Sequence, residues 1–97
     1  MDSARAPFGR LLRQGRQRAG LSQLTLALQA EVSTRHLSWL ETGRAQPSRA
    51  MVLRLAEHLA VPLRERNAWL QAAGYAPLYT ERPLADPALA PARAALE

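Results

Sequence analysis

The segment from Leu21 to Gly43, LSQLTLALQAEVSTRHLSWLETG, restricts the fold of this chain more than any other part of it. Its apolar residues recur every three or four positions in two short runs, which is the period of a helix. Ser22 and Ser33 each precede one run, as N-cap residues do, and Gly43 follows the second, where glycine commonly ends a helix. The segment therefore predicts two short helices joined by a tight turn.

The same signals predict three more helices and almost no strand. A first helix runs from about Pro7 to Ala19, with Gly20 behind it; Ser48 caps a fourth; Pro62 opens a fifth that Gly74 ends. Short connections between these helices predict an all-α five-helix bundle. Its core consists of apolar residues that share one face of each helix: Phe8, Leu11, Leu12, Leu26, Ala27, Ala30, Val32, Leu37, Leu40, Met51, Leu53, Leu55, Ala56, Leu59, Trp69, Leu70 and Ala73.

Composition narrows the classes of function. Ninety-seven residues suffice for one domain, or one domain with a tail. The absence of cysteine excludes disulfides and thiolate metal sites, and the two histidines lie too far apart to suggest a metal pair. We find no paired carboxylates, no nucleophile beside a base and no glycine-rich phosphate loop. No apolar run approaches the ~18 residues of a membrane span. We therefore expect a cytoplasmic, nucleoid-associated protein that is not an enzyme and needs no metal or cofactor.

Positive charge is concentrated in one half of the chain. All 13 basic residues are arginine. Residues 1–54 hold nine of them against three acidic residues, whereas residues 55–97 hold four against five. A GC-rich genome would explain arginine in place of lysine, but it would not explain this asymmetry. The positive half contains the predicted helix pair, as a surface that binds phosphates requires.

The second helix of the pair carries polar side chains on the face opposite its apolar residues. Arg35, near its amino end, has the geometry to bond guanine O6 and N7, and Thr34 can bond a base or contact a thymine methyl. His36 and Thr42 are expected to contact phosphate or sugar. Trp39 lies one turn beyond Arg35 and has two interpretations: a contact in the groove, or packing at a core edge or subunit contact. This layout is how small proteins place a helix in the major groove of duplex DNA.

The SQ, VS, E-x-G and P-S landmarks resemble the phage repressor and Cro type of helix-turn-helix, the XRE-like family, over about residues 8–73. STRHLSWLETGRAQPS, followed by LRLAEHLAVPLRERNAWLQAAGYAP, resembles more narrowly the amino-terminal domain of MmyB-like regulators. The resemblance implies a lambda-repressor-like bundle in a bacterial transcription regulator that binds double-stranded DNA. Because one domain presents one short helix, we expect a homodimer, at least on DNA, and a palindromic operator.

The resemblance also implies roles for single residues. Gln23 matches a glutamine that bonds a backbone phosphate, at a helix end where N–H groups favour an anion, although it is also simply a good first-turn residue. Arg16 and Glu41 match an ion pair that fixes how the reading helix is presented. Arg44 and Arg49 flank the next loop, where each is either a phosphate clamp or a solvated charge. The predicted DNA-contacting residues are Gln23, Ser33, Thr34, Arg35, His36, Trp39, Thr42, Arg44 and Arg49.

Two residues depart from the family pattern. Glu31 stands where the turn usually has glycine, so it must adopt a left-handed conformation at a cost of roughly 1–2 kcal/mol. Gly15 stands inside the first helix where a large apolar residue is usual, and we expect Trp69 or Trp39 to fill the space.

The residues from Tyr75 onward form a proline-rich tail that is still partly apolar. We expect residues 1–74 to form the DNA-binding domain and residues 75–97 a tail or linker resembling the start of a ligand-binding domain, with the chain a fragment of a longer protein. Leu24 and Leu28 occupy usually polar positions of the second helix, which suggests contact with the tail or a partner. A protein-interaction module of the same fold, antitoxin-like or adaptor, is the alternative to a DNA-binding regulator.

Overall fold

The structure is a computed structural model, and it describes residues 6–78 of the chain. These residues form five helices and no strand, which confirms the predicted all-α bundle. The helix bounds fall within one or two residues of the predicted ones. The predicted tail lies outside the described residues from residue 79 onward. The helices are α1 (Ala6–Arg18), α2 (Gln23–Ala30), α3 (Thr34–Thr42), α4 (Arg49–His58) and α5 (Leu63–Ala72).

Three helices begin at the serines that the sequence indicates. Ser22, Ser33 and Ser48 have extended backbones, and each side-chain oxygen accepts the backbone N–H three residues ahead. Each bond satisfies one of the N–H groups that a helix start leaves without a partner. Pro62 precedes α5 without a side-chain hydrogen bond. The serines therefore determine where α2, α3 and α4 start.

All five helices end in the same hydrogen-bonded turn. One residue adopts a left-handed conformation, its N–H bonds the carbonyl three residues back, and the next N–H bonds the carbonyl five back. Glycine occupies the left-handed position after α1, α3 and α5. Glu31 (φ 60°) occupies it after α2, as predicted, and Ala60 (φ 54°) occupies it after α4, which sequence analysis did not foresee.

The core lies between α1 and the two hairpins formed by α2–α3 and α4–α5. Phe8 and Trp69 meet edge to face with ring centroids 5.9 Å apart, and Trp69 also fills the space beside Gly15. A Cβ atom added at Gly15 would lie 3.0 Å from Cζ2 of Trp69, so of the two predicted tryptophans Trp69 takes the place of the missing side chain.

The predicted core needs one correction in α4. Met51 and Leu53 are only partly buried, whereas Val52, which was not predicted, is fully buried. The buried residues of α4 and its end are Val52, Leu55, Ala56 and Leu59, which follow one another at helical spacing and so share one face. Leu11 and Val32 are also only partly buried, at the edge of the core.

Gly9 marks the place where α1 crosses α3. A Cβ atom added there would collide with the backbone carbonyls of Leu40 and Glu41. The two helix backbones therefore approach as closely as glycine allows. This contact sets the position of the carboxyl-terminal half of α3 and was not foreseen from the sequence.

Candidate nucleic-acid interface

The amino-terminal part of α3 presents polar side chains to solvent. Ser33, Thr34 and Arg35 are exposed and His36 is half-buried, while Leu37 and Leu40 on the opposite face have no exposed surface. The first turn of α3 contains no acidic residue. The exposed face therefore offers hydrogen-bond donors and positive charge without a nearby carboxylate on the same turn.

Two of the predicted DNA-contacting residues, Ser33 and Thr42, make hydrogen bonds to the backbone of α3. The Ser33 oxygen accepts the N–H of His36 at 3.0 Å. The Thr42 hydroxyl donates to the carbonyl of Ser38 at 3.0 Å, and because a hydroxyl has one hydrogen, Thr42 has no donor left for a phosphate in this conformation. Trp39 keeps 38% of its surface exposed.

Arg16 and Glu41 lie together, as the sequence paired them. Arg16 Nε donates to Glu41 Oε2 at 2.6 Å and Arg16 Nη2 donates to Glu41 Oε1 at 3.1 Å. Arg16 Nη1 also donates to the carbonyl of Leu21 at 3.0 Å. The side chains are only 13% and 3% exposed, and the hydrogen bond to Glu41 raises the pKa of Arg16 above its ordinary value. All three nitrogens of the guanidinium thus donate a hydrogen bond within the protein.

Gln23 completes this cluster. Its Nε2 donates to Glu41 Oε1 at 3.0 Å, so Glu41 holds side chains from both α1 and α2. We refer to Arg16, Gln23 and Glu41 as the hub. The sequence indicated Gln23 as a phosphate ligand or a first-turn residue; its bond to Glu41 was not foreseen, because the two residues are 18 positions apart and no local pattern joins them. The hub ties the first turn of α2 to the last turn of α3.

Arg44 and Arg49 stand at the two ends of the loop between α3 and α4, and both are exposed. The guanidinium of Arg44 lies over the ring of Trp39, and that of Arg49 lies over the ring of Tyr75. Sequence analysis predicted both arginines but assigned no role to Tyr75. The segment directly after α3 thus presents two exposed cations, one at each end of the loop.

Arg54 is a further residue that sequence analysis missed. Its Nη1 donates to the carbonyl of Ala30, the last residue of α2, at 3.1 Å. A cation at a helix carboxyl end satisfies a carbonyl that the helix leaves without a partner and interacts favourably with the helix dipole. Arg54 therefore joins α4 to the turn before α3.

No helix within residues 6–78 is long and apolar enough to cross a membrane. In the same part of the chain, no three histidine, aspartate or glutamate side chains come together as potential metal ligands.

Comparison with known proteins gave one match. A family model described as a helix-turn-helix domain matches residues 7–69, which is more than half of the chain. No curated protein and no solved structure matches the chain. The matched residues run from α1 into α5, so they include the hub, the α2–α3 hairpin and the loop that carries Arg44 and Arg49.

Proposed function

The chain belongs to the helix-turn-helix domain family, and we propose that it is a transcription regulator that reads a specific sequence of double-stranded DNA with α3. The observation that carries the proposal is the placement of α3. Its first turn exposes Thr34 and Arg35 without an acidic neighbour, and its last turn is fixed by the hub. A short helix whose carboxyl-terminal turn is fixed to the domain and whose amino-terminal turn exposes polar side chains can be placed in the major groove.

Each exposed side chain has a proposed role. Arg35 bonds O6 and N7 of a guanine, and Thr34 contacts the neighbouring base pair. His36 contacts phosphate or sugar. Arg44 and Arg49 contact phosphates and so supply affinity that does not depend on sequence. Ser33, Gln23 and Thr42 act mainly by keeping α3 and its neighbours in place, since each side chain makes a hydrogen bond within the domain.

We further propose that the chain is an XRE-like regulator of the MmyB-like type. Residues 1–74 then form the DNA-binding domain, and residues 75–97 lead toward a ligand-binding domain. One reading helix covers too few base pairs for a useful site, so we propose a homodimer on a palindromic operator, with half-sites ~34 Å apart.

The experiment that tests the function is DNA binding by the Arg35→Ala variant. Fluorescence anisotropy would compare a duplex from the promoter of the protein's own gene with a pool of random-sequence duplexes over a salt series. We expect the substitution to cost about 1–3 kcal/mol on the promoter and much less on the pool. Arg64→Ala, which removes an exposed arginine from α5, is the matched control and should leave both affinities nearly unchanged.

Two results would contradict this assignment. An equal loss on both DNAs would make Arg35 a phosphate contact and leave α3 without its main base-reading residue. Absence of binding to either DNA at low salt would remove the DNA-binding function altogether.

A protein-interaction module is the second candidate, and one observation favours it. Leu24 and Leu28 lie one turn apart on α2 and are 59% and 70% exposed. Two large apolar side chains side by side on a solvent-facing helix suit a protein partner. Under this alternative the chain would bind a protein through α2, and Leu24→Ser together with Leu28→Ser would abolish that binding while leaving DNA affinity unchanged.

A further inference from the structure

The loop between α3 and α4 has an arginine at each end, and each arginine lies over an aromatic ring. The guanidinium carbon of Arg44 is 5.3 Å from the centroid of the Trp39 ring, and that of Arg49 is 5.9 Å from the centroid of the Tyr75 ring. Both distances lie within the ~6 Å range of a cation–π interaction. The two rings come from different elements, since Trp39 belongs to α3 and Tyr75 follows α5.

Tyr75 is fixed at both ends. Its backbone N–H donates to the carbonyl of Leu70 at 2.8 Å, which anchors it to α5. Its hydroxyl donates to the carbonyl of Pro47, in the α3–α4 loop, at 2.7 Å. Beside it, Gln46 Nε2 donates to the carbonyl of Ala73 at 2.5 Å. The ring beneath Arg49 is therefore held between α5 and the loop.

Trp39 is joined to the loop in a similar way. Its carbonyl accepts the N–H of Arg44 at 2.8 Å and the N–H of Ala45 at 3.2 Å. The chain leaving α3 thus turns back over the residue whose ring Arg44 covers. Backbone and side chain of Arg44 are both held by Trp39.

A ring and a carboxylate occupy different parts of a guanidinium. A ring covers one flat face, whereas a carboxylate takes the N–H donors along the edge. Arg16 illustrates the second case, because its donors bond Glu41 and the carbonyl of Leu21. Within residues 6–78, neither Arg44 nor Arg49 has a carboxylate at salt-bridge distance. As far as residues 6–78 are concerned, their N–H edges are therefore available to an external anion.

We propose that Trp39 and Tyr75 are positioning residues that hold Arg44 and Arg49 as a two-point clamp for backbone phosphates of duplex DNA. The inference rests on the proposed DNA-binding function and adds to it the residues that orient the clamp. An arginine side chain has many rotamers, and a ring that restricts them before binding reduces the entropy lost on binding. Tyr75, although it follows the last helix, thereby becomes part of the DNA interface.

The test is a double-mutant cycle of Tyr75→Leu and Arg49→Ala, with binding to a pool of random-sequence duplexes measured by anisotropy over a salt series. Arg49→Ala should reduce the slope of log K against log salt by about one, as loss of one phosphate contact does. Tyr75→Leu should weaken binding about two- to fivefold, the range of an exposed cation–π contact. In the Arg49→Ala background it should have no further effect, because the ring then has no cation to hold.

The outcomes separate the clamp from the proposed function. If the unaltered protein does not bind DNA, both are wrong. If it binds but Arg49→Ala leaves the salt slope unchanged, the clamp alone is wrong. If Tyr75→Leu weakens binding by the same factor in both backgrounds, Tyr75 acts on the fold and not through Arg49, which also overturns the inference.

Two further measurements keep the test valid if Tyr75→Leu does not fold. Tyr75→Phe keeps the ring and removes only the bond to Pro47, so it should retain most of the affinity and the full salt slope. In the unaltered protein, NMR should find the δ-methylene protons of Arg49 shifted upfield by the ring current of Tyr75; unshifted protons would overturn the stack directly. A second double-mutant cycle tests the other arginine in the same way with Trp39→Leu and Arg44→Ala. Trp39→Phe keeps an aromatic ring and should bind DNA more tightly than Trp39→Leu.

Discussion

The α2–α3 and α4–α5 hairpins are built around the same backbone turn. In each, a helix ends at a non-glycine residue in the left-handed conformation, Glu31 or Ala60, and the following valine donates its N–H to the carbonyl five residues back. The second helix of each hairpin begins two residues after that valine. The backbone of the turn therefore does not distinguish the α2–α3 hairpin, which we propose reads DNA and call the reading hairpin, from the α4–α5 hairpin, which packs in the core.

What distinguishes the hairpins is the first turn of the second helix and the group that anchors it. The first turn of α3 has Arg35 and no acidic residue, whereas the first turn of α5 has Glu65 directly after Arg64, so its charges offset each other. The last turn of α3 is held by the hub, an ion pair with a bridging amide. In α5 the buried polar group is Asn67, which is neutral and 2% exposed. The comparison indicates that a positive charge without an acidic residue at the first turn, and a charged anchor behind the helix, distinguish the hairpin that we propose reads DNA.

Glu41→Ala should have the largest effect, because it breaks the anchor of the reading hairpin. An arginine keeps its charge at neutral pH, so the guanidinium of Arg16, whose side chain is 13% exposed, would be left largely buried without its partner. We expect the free energy of unfolding, measured by urea denaturation, to fall by about 3–5 kcal/mol.

Glu41→Gln is the matched control for this prediction. It keeps the shape of the side chain and one carbonyl oxygen as an acceptor but removes the charge, so its cost should be clearly smaller than that of alanine. A loss of less than 1 kcal/mol for Glu41→Ala would mean that the hub is not what holds α3.

The features that sequence analysis predicted are mostly those with a local signal. Ser22, Ser33 and Ser48 could be identified as caps because each serine stands directly before a run of apolar residues with helical spacing. Glycine and proline signals at the other helix ends completed the prediction of five helices. Glu31 was recognised because glycine is usual there in the family that the chain resembles. Ala60 adopts the same conformation, but no such comparison marked it, and alanine gives no indication of a left-handed backbone.

The features that were missed depend on contacts between distant parts of the chain. Gln23 meets Glu41, and Tyr75 meets Pro47 and Arg49, only after the helices have packed. In α4, Met51 and Val52 are neighbours with similar hydrophobicity, so composition could not decide which one faces the core. The residues of the candidate site could therefore be proposed from the sequence, and their contacts with DNA stay predictions, while the contacts that orient these residues within the domain required the fold.

Glycine substitution at the two left-handed positions tests whether the two turns are energetically equal. Glu31→Gly and Ala60→Gly should each raise the free energy of unfolding by about 1 kcal/mol, since relief of the strained backbone exceeds the added entropy of the unfolded chain. Both residues are exposed, so neither change removes core packing. Urea denaturation of the single and double variants would measure the gains, which should add because the turns are separate. A gain at only one position would contradict the equivalence.

Arg18→Ala should have the smallest effect and tests whether burial is what makes the hub strong. Arg18 and Glu65 join α1 to α5 with 3.9 Å between Nη1 and Oε1, and their side chains are 68% and 51% exposed. Water and salt screen such a pair, so its loss should lower the free energy of unfolding by about 0.5 kcal/mol or less in the same urea experiment.

The comparison variant is Arg16→Ala, which removes the same kind of side chain from the same helix but from a buried pair. If the two arginines cost the same, ion pairs in this domain contribute alike wherever they lie. The hub would then no longer separate the reading hairpin from the packing one, and the charge of the first turn of α3 would be the difference that remains.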